Sequence, residues 1–378
     1  MNRPRCPRTT TLQLAIAVLG LSTLGSCATM VRTPHPSKRY PIDDCTDHAY
    51  FVSHLCSEER EILDWASEYP EYRSFSAMTA EHLQAIRAEA GSVDRAAAVY
   101  YDRAISDPDN RAFLEFVDAR ENEFRRGPPD FDDRNVLLAF VPGMFYKDVS
   151  IVGLKGEPLL DAAADANLDA ELVPVKQTGT IRTNARIIRD FLAERATRYD
   201  SIIVASVSKG GGDFVEMLYE YGDEAFVDAI DVWFNIGGIV EPSPILDMTD
   251  TTWRYRVWGK TFFFFNGWDW DGLESMDDWF RYRPGALSHP MSIPDTVQVV
   301  TIIGVPLARH VTRIARPFYR RISDYGPNDG YVLLGVDQHP PGIFYPSWRN
   351  DHYFQWTLPE PRIWAFFSYA MEIIDGTT

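Results

Sequence analysis

Ser208 stands at the junction of two sequence patterns that together favour an activated nucleophile. The apolar run 201–207 predicts a buried strand, and the amphipathic pattern at 214–219 predicts a helix. A sharp strand–turn–helix junction needs small residues two positions either side of the turn, and here they are Ser206 and Gly210. At such a turn the hydroxyl lies close to free helix N–H groups, which stabilise a developing negative charge. Ser208 is therefore the candidate nucleophile.

The turn at Ser208 is open to other interpretations. It reads Ser-x-Ser-x-Gly, where the usual nucleophile motif has glycine in first place. A phosphate-binding loop would need G-x-x-x-x-G-K-[ST] or G-x-G-x-x-G, and neither pattern occurs at this turn. The remaining alternative is an ordinary strand-to-helix turn in which the serine only caps the helix.

A candidate acid and a candidate base follow further along the chain. Asp329 lies in an Asn-Asp-Gly turn, after a predicted strand at 297–305 and a basic insert. His352 lies in a polar loop just before the last apolar helix, predicted over 363–373. The order serine, aspartate, histidine is that of α/β-hydrolases and differs from the orders in the chymotrypsin and subtilisin folds.

Other residues compete for these two roles. Asp324 is a second candidate acid, and His339, in a loop before two prolines, is a second candidate base. His310 lies in a basic segment, for which a solvated helix face is the expected interpretation. No pair of His, Cys, Asp and Glu has a convincing metal-ligand spacing, so we predict neither a metal nor another cofactor.

From about residue 134 to 375 the chain resembles bacterial α/β-hydrolases of the lipase/esterase kind. Some secreted bacterial lipases carry a similar Asn-Asp-Gly-hydrophobic-Val segment, here 328–332, followed by an Asn-x-His loop, here 350–352. The segment 141–144 is similar to their His-Gly-x loop, with Pro142 in place of the histidine. Those lipases have a calcium ligand shortly after the histidine; this chain has no carboxylate there, so calcium is not expected.

The resemblance implies a serine hydrolase acting on carboxylic esters such as acylglycerols or other lipids. Ser208 Oγ would attack the carbonyl carbon, His352 would accept its proton, and Asp329 would orient and stabilise the imidazole. The backbone N–H groups of Lys209 and Met144 would hold the oxyanion. The Lys209 side chain is expected to point to solvent or to pair with a carboxylate.

Two further hypotheses share the same residues. A Ser-His-Asp triad would equally serve an acyltransferase or a peptidase acting on envelope components. A catalytically inactive hydrolase fold, with the amino-terminal helices as its binding surface, is the other hypothesis. The complete set of Ser208, Asp329 and His352 argues against it.

The first 26 residues have the layout of a signal peptide, with three arginines before a short apolar run at 12–21. The run is too short to span a bilayer. It is followed by Leu-Gly-Ser-Cys, which resembles the lipobox of bacterial lipoproteins and implies cleavage before Cys27 and lipidation of its thiol. We therefore expect a lipid-anchored protein of the bacterial cell envelope, on the outer-membrane or periplasmic side in a Gram-negative host. A chance cysteine in an ordinary signal peptide is the alternative.

The cysteine count agrees with export. Cys6 leaves with the signal peptide and Cys27 takes the lipid. The remaining two, Cys45 and Cys56, predict one disulfide in an exported protein. It would close a small loop at the end of a lipidated tether that spans residues 27–56.

Charge and patterning bound the rest of the molecule. A net charge of −17 disfavours nucleic acid as a partner and suits a body held at a membrane by its lipid. Strands alternating with helices over 131–378 predict an α/β class, with a mostly parallel sheet flanked by helices in an α/β-hydrolase core. A helix-rich region precedes it at 57–130. An aromatic-rich insertion at about 239–292 predicts a cap, whose aromatics either line a substrate site or pack the cap onto the core.

Overall fold

The computed structural model describes residues 55–148, 155–244, 253–282, 293–354 and 358–377. The strands of these ranges are β1 Val136–Val141, β2 Asp169–Leu172, β3 Ser201–Val207, β4 Ile230–Ile236, β5 Gln298–Val305 and β6 Ile343–Trp348. They form one six-stranded sheet in the order β2-β1-β3-β4-β5-β6, and every neighbouring pair is parallel. All carboxyl ends therefore meet at one edge, which is where open α/β sheets bind ligands.

The α-helices of the same ranges lie around this sheet. They are α1 Ser57–Glu68, α2 Ala80–Ala90, α3 Val93–Ser106, α4 Pro108–Phe124, α5 Glu157–Asp165, α6 Ile181–Arg195, α7 Lys209–Tyr221, α8 Trp253–Asn266, α9 Asp271–Tyr282, α10 Arg316–Ile322 and α11 Glu360–Ile374. None of them is both long and apolar enough to cross a bilayer. The predicted signal peptide, Cys27 and Cys45 lie outside the described residues.

Two apolar cores cover the two faces of the sheet. One contains Val204 and Trp233 and is closed by α6 and α7. The other contains Ala205 and Phe234 and is closed by α4, α5 and α11. Successive residues of one strand thus point into opposite cores, as a parallel sheet buried on both faces requires. The predicted α/β class, with a parallel sheet between helices, is confirmed.

The amino-terminal helices cover the β6 edge of the sheet. A third core joins residues of α1, α2 and α3 to Val305 and Phe344. Asn110 of α4 is buried there, and its Oδ1 accepts a hydrogen bond of 2.7 Å from the Phe344 N–H. Its Nδ2 donates to the Ala104 carbonyl at 3.0 Å. The side chain therefore satisfies a donor of the edge strand that the sheet itself leaves unpaired.

Several helix starts follow from local signals. The sequence predicts helices that begin at Thr79, Ser92 and Asp107, and α2, α3 and α4 begin directly after these residues. Each of the three side chains accepts a backbone N–H of the first turn, which satisfies donors that a helix leaves open.

Three elements differ from what the sequence predicts. The apolar residues 172–175 predict a strand, and this is wrong by three residues: β2 covers Asp169–Leu172, a partly exposed edge strand without an apolar run. Helix α5 and strand β6 are not predicted at all. β6 contains Pro346, which normally argues against a strand, but an edge strand tolerates a residue without an N–H donor.

The edge contact of Asn110 leads to a prediction about stability. Asn110→Ala removes both hydrogen bonds and leaves the Phe344 N–H buried without a partner. We expect a loss of about 2–3 kcal/mol in the free energy of unfolding, measured by urea denaturation. Asn122→Ala is the matched control, because this asparagine is exposed on the same helix and should cost less than about 0.5 kcal/mol. Equal losses in the two variants would contradict this role for Asn110.

Candidate active site

Ser208 occupies a strained turn between β3 and α7. Its φ of 54° and ψ of −124° lie in a region that residues other than glycine rarely adopt. Two backbone hydrogen bonds hold it there: the Ser208 N–H donates to the Ile236 carbonyl at 3.2 Å, and the Ile239 N–H donates to the Ser208 carbonyl at 2.9 Å. The strand–turn–helix predicted from the sequence is therefore present, with the serine at its apex.

The glycines after Ser208 let the helix approach its neighbours. A Cβ at Gly210 would lie 2.6 Å from the Val141 carbonyl oxygen, and a Cβ at Gly211 would lie 2.8 Å from Gly238 Cα. Real Cβ atoms do not come so close to backbone. The small residue expected at 210 is thus required by packing, and the loop after β1 lies against the first turn of α7.

Ser208, His352 and Asp329 lie together at the carboxyl edge of the sheet. His352 Nε2 is 3.0 Å from Ser208 Oγ, and His352 Nδ1 is 2.8 Å from Asp329 Oδ2. The aspartate is fully buried and the histidine is 6% exposed. The second carboxylate oxygen, Asp329 Oδ1, accepts N–H groups of Tyr331 and Val332 at 2.9 and 2.7 Å. The carboxylate is therefore fixed before it meets the imidazole.

A tyrosine that the sequence analysis does not assign packs against this histidine. The Tyr331 ring lies 4.7 Å from the His352 ring, and its hydroxyl is 2.5 Å from that of Tyr353. Burial raises the pKa of Tyr331 well above its ordinary value, so the phenol stays neutral. Its position two residues after Asp329, in the turn that carries the candidate acid, is the signal that could have identified it.

The competing residues lie elsewhere. Asp324 is 83% exposed and pairs with Arg87 Nη2 at 2.9 Å. His339 is buried against Phe344. His310 was expected on a solvated face, and this is wrong: it is buried, with Nε2 3.3 Å from Glu59 Oε1. None of the three contacts Ser208 through a hydrogen bond in the described part of the chain.

Lys209 follows Ser208 and turns its side chain inward. Its Nζ lies 2.5 Å from Asp213 Oδ1, and both side chains are buried. Asn184 Nδ2 donates to Asp213 Oδ2 at 2.8 Å. Burial raises the pKa of Asp213, and the charge of Lys209 opposes that rise. Of the two positions expected for this lysine, the structure has the carboxylate pair.

Met144 lies in the loop after β1, next to a constrained phenylalanine. Phe145 has a φ of 64°, and its N–H donates to the Gln177 carbonyl at 3.2 Å. The Tyr146 hydroxyl donates to the Val175 carbonyl at 2.9 Å. These contacts fix the loop beside the first turn of α7, where the second oxyanion donor was predicted. The role of the Met144 N–H itself stays a prediction.

The described part of the predicted cap packs on this same loop. The Phe145 ring lies 4.5 Å from Trp268 and 5.7 Å from Phe263. Phe263 is 8% exposed, whereas Phe264 and Phe265 on the same helix are each 77% exposed. Some cap aromatics therefore pack inward, as one of the two interpretations predicts, and others face outward.

The predicted disulfide and the predicted lipidation site involve residues outside the described ranges. Cys56 is disulfide-bonded, but its predicted partner Cys45 and the lipidation site Cys27 lie outside the described ranges. Within those ranges, no group of three or more His, Cys, Asp or Glu side chains could hold a metal ion.

Comparison with known proteins connects this geometry to a fold. No protein-family model matches the chain, and no curated protein matches it. Among solved structures, it is similar to the metagenomic carboxyl esterase MGS0156, with 18% identity, a TM-score of 0.50, and coverage of 65% of this chain and 78% of that chain. It is also similar to the mature Bacillus licheniformis lipase BlEst2, with 15% identity, a TM-score of 0.45, and coverage of 67% and 93%. Together with the parallel sheet, the first likeness identifies the α/β-hydrolase fold.

The buried His339 leads to a prediction about pH. Burial lowers its pKa to about 4, against the attraction of Asp329. The unfolded chain takes up this proton near pH 6.5, so stability is lost as the pH falls from 6.5 to 4, by about 3 kcal/mol. In His339→Gln, the decrease in unfolding free energy over this window, measured by urea denaturation, should become smaller. An unchanged slope would show that the folded protein binds this proton.

Proposed function

We propose that the protein is a serine hydrolase of carboxylic esters, with Ser208 as nucleophile, His352 as general base and Asp329 as the acid that orients it. One observation carries the proposal: the unbroken series of contacts from Ser208 Oγ to His352 Nε2, at 3.0 Å, and from His352 Nδ1 to Asp329 Oδ2, at 2.8 Å. Distances of this size allow direct proton transfer from the serine to the imidazole.

The reaction has two halves. Ser208 Oγ attacks the ester carbonyl carbon while its proton moves to His352 Nε2, and the resulting imidazolium returns that proton to the leaving alcohol as the C–O bond breaks. Water then attacks the acyl-enzyme, gives one proton to His352, and releases the carboxylic acid with the serine reprotonated. Asp329 stays ionised and stabilises the imidazolium in both halves.

The oxyanion is held by backbone groups. The Lys209 N–H belongs to the first turn of α7, where helix N–H groups have no partner within the helix. The Met144 N–H is the second donor, and each donor lowers the barrier by about 3–4 kcal/mol. Because the Lys209 side chain pairs with Asp213, it contributes through its backbone and leaves Ser208 to the histidine.

The substrate class we propose is an acylglycerol or another lipid ester. The aromatic wall formed by Phe145, Phe263 and Trp268 lies beside the loop that carries Met144 and suits an acyl chain. The exposed Phe264 and Phe265 suit contact with a lipid phase. Lipidation at Cys27 and residence in the bacterial cell envelope complete the proposal and rest on the sequence alone.

Labelling with a fluorophosphonate probe tests the nucleophile. The mature wild-type protein should take up one probe per chain, and Ser208→Ala should take up none. Ser67→Ala, which removes an exposed serine of α1, should label as the wild type does. A folded wild-type protein that does not label in buffer or detergent would contradict the proposal.

Exchange of each candidate acid tests the assignment of Asp329. Asp329→Asn should lower kcat on a nitrophenyl ester by about 10⁴-fold, since the imidazole loses its orienting charge. Asp324→Asn removes an exposed carboxylate and should change kcat less than about twofold. The opposite ranking would move the acid to Asp324.

A further inference from the structure

We infer that the ion pair between Glu59 and Arg349 positions His352, so that helix α1 helps to set the geometry of the active site. The inference rests on the proposed role of His352 as general base. Glu59 lies in the first turn of α1, and Arg349 lies three residues before the histidine.

The Glu59 carboxylate is the centre of a buried polar cluster. It is fully buried, and it binds Arg349 through two hydrogen bonds, from Nε to Oε1 at 2.6 Å and from Nη2 to Oε2 at 2.5 Å. The Cys56 N–H donates to Oε2 at 2.8 Å, and Trp348 Nε1 donates to Oε1 at 3.2 Å. Burial alone would raise the pKa of Glu59, but hydrogen bonds from Arg349, His310 and Cys56 reverse this and hold it well below its usual range. Glu59 is therefore an ionised clamp on Arg349.

The backbone conformation of Arg349 is unfavourable. Its φ of 70° lies in the left-handed region, which favours glycine. This conformation turns the chain out of β6 and toward the active site, while the Arg349 N–H still donates to the Val305 carbonyl at 3.1 Å. The two hydrogen bonds to Glu59 fix the side chain of the residue that makes this turn.

The short loop from Arg349 to His352 transmits that constraint. The Asp351 carboxylate accepts the Thr312 N–H at 2.7 Å on one side of the loop. The His352 N–H donates to the Asp329 carbonyl at 2.9 Å at its end. A Cβ at Gly304 would lie 2.5 Å from the Asn350 carbonyl oxygen, so the loop packs directly against the backbone of β5. A loop held this closely passes a displacement of Arg349 on to the imidazole.

Fold stability alone does not explain this buried ion pair. A buried ion pair often stabilises a fold no better than apolar side chains of similar volume would. The pair instead fixes the orientation of the Arg349 side chain, since a bidentate arginine–carboxylate pair has one favoured geometry. A general base must be placed accurately, because a displacement of about 1 Å costs about 10²-fold in rate.

The experiment separates an effect on the position of His352 from a loss of folded protein. The endpoint of fluorophosphonate labelling counts the folded sites, and release of nitrophenol in a single turnover, with enzyme in excess over the nitrophenyl ester, gives the acylation rate constant per site. Glu59→Gln, which keeps shape and removes charge, should lower that rate constant about 10–100-fold. KM should change much less. The matched control is Glu121→Gln, which breaks a similar pair, Arg362 Nε to Glu121 Oε2 at 2.6 Å, between α4 and α11. Its rate constant per site should equal that of the wild type, whatever its stability.

Chemical rescue gives a second readout that a merely structural role would not produce. Arg349→Gly keeps the left-handed backbone and removes the guanidinium group, so its acylation rate per site should fall. Guanidinium ion at millimolar concentration should restore part of that rate, and urea, a neutral molecule of the same shape, should not. The downfield NMR signal of the proton between His352 and Asp329 should shift in Glu59→Gln and in Arg349→Gly, and should return in Arg349→Gly when guanidinium ion is added.

The outcomes are distinguishable. A wild-type protein that releases no nitrophenol and takes up no fluorophosphonate contradicts the proposed function. A wild-type protein that is acylated, and a Glu59→Gln variant with the same acylation rate constant per site, overturn the positioning role alone. If Glu59→Gln does not fold, Glu59→Asp keeps the charge and shortens the side chain. An unchanged rate constant per site in that variant overturns the inference in the same way.

Discussion

The site depends on one backbone conformation, the turn at Ser208. A serine with positive φ costs of order 1–3 kcal/mol, and it persists only where the surroundings determine it. Here the surroundings are the end of β4, which exchanges hydrogen bonds with the turn through Ile236 and Ile239, and the glycines that allow α7 to approach. The parallel sheet therefore also helps to hold Ser208 in this unfavourable conformation. The register of β3 against β4 brings Ser206 beside Asn235 and places the two strand ends where these hydrogen bonds can form.

Two buried ion pairs flank the proposed triad, one beside Ser208 and one near His352. Lys209 and Asp213 follow Ser208, within the first turns of α7. Glu59 and Arg349 join α1 to the loop after β6, which leads to His352. Removing one partner of such a pair leaves a buried charge uncompensated, so each pair strongly disfavours other arrangements of the elements that it joins. The two ion pairs thus fix the positions of the elements that carry Ser208 and His352.

Local signals predicted much of the fold and most of the candidate site. The helix starts at Thr79, Ser92 and Asp107, the apolar strands at 201–207 and 297–305 and the turn at Ser208 depend on a few consecutive residues, and the structure has them in place. The pair of Lys209 and Asp213 also has a local signal, since residues four apart lie on one helix face.

What the sequence does not reveal depends on distant contacts. Glu59 and Arg349 are 290 positions apart, and neither stands in a motif. Strand β6 is hidden because Pro346 contradicts the pattern, and only its place at the edge of the sheet makes the proline acceptable. In the cap, the run of four phenylalanines does not reveal that Phe263 is buried while Phe264 is exposed.

The covering of β6 by the first helices has a consequence for the order of assembly. The helices that shield this edge are synthesised before the strand and the arginine that they contact. Such pairing has a high contact order, which slows folding, and until it is complete the growing chain carries an unpaired sheet edge and a carboxylate with no arginine to meet. Because His352 follows β6, Ser208 and His352 come into contact only after β6 has been synthesised and has paired with the sheet. An incompletely folded chain therefore has no assembled site.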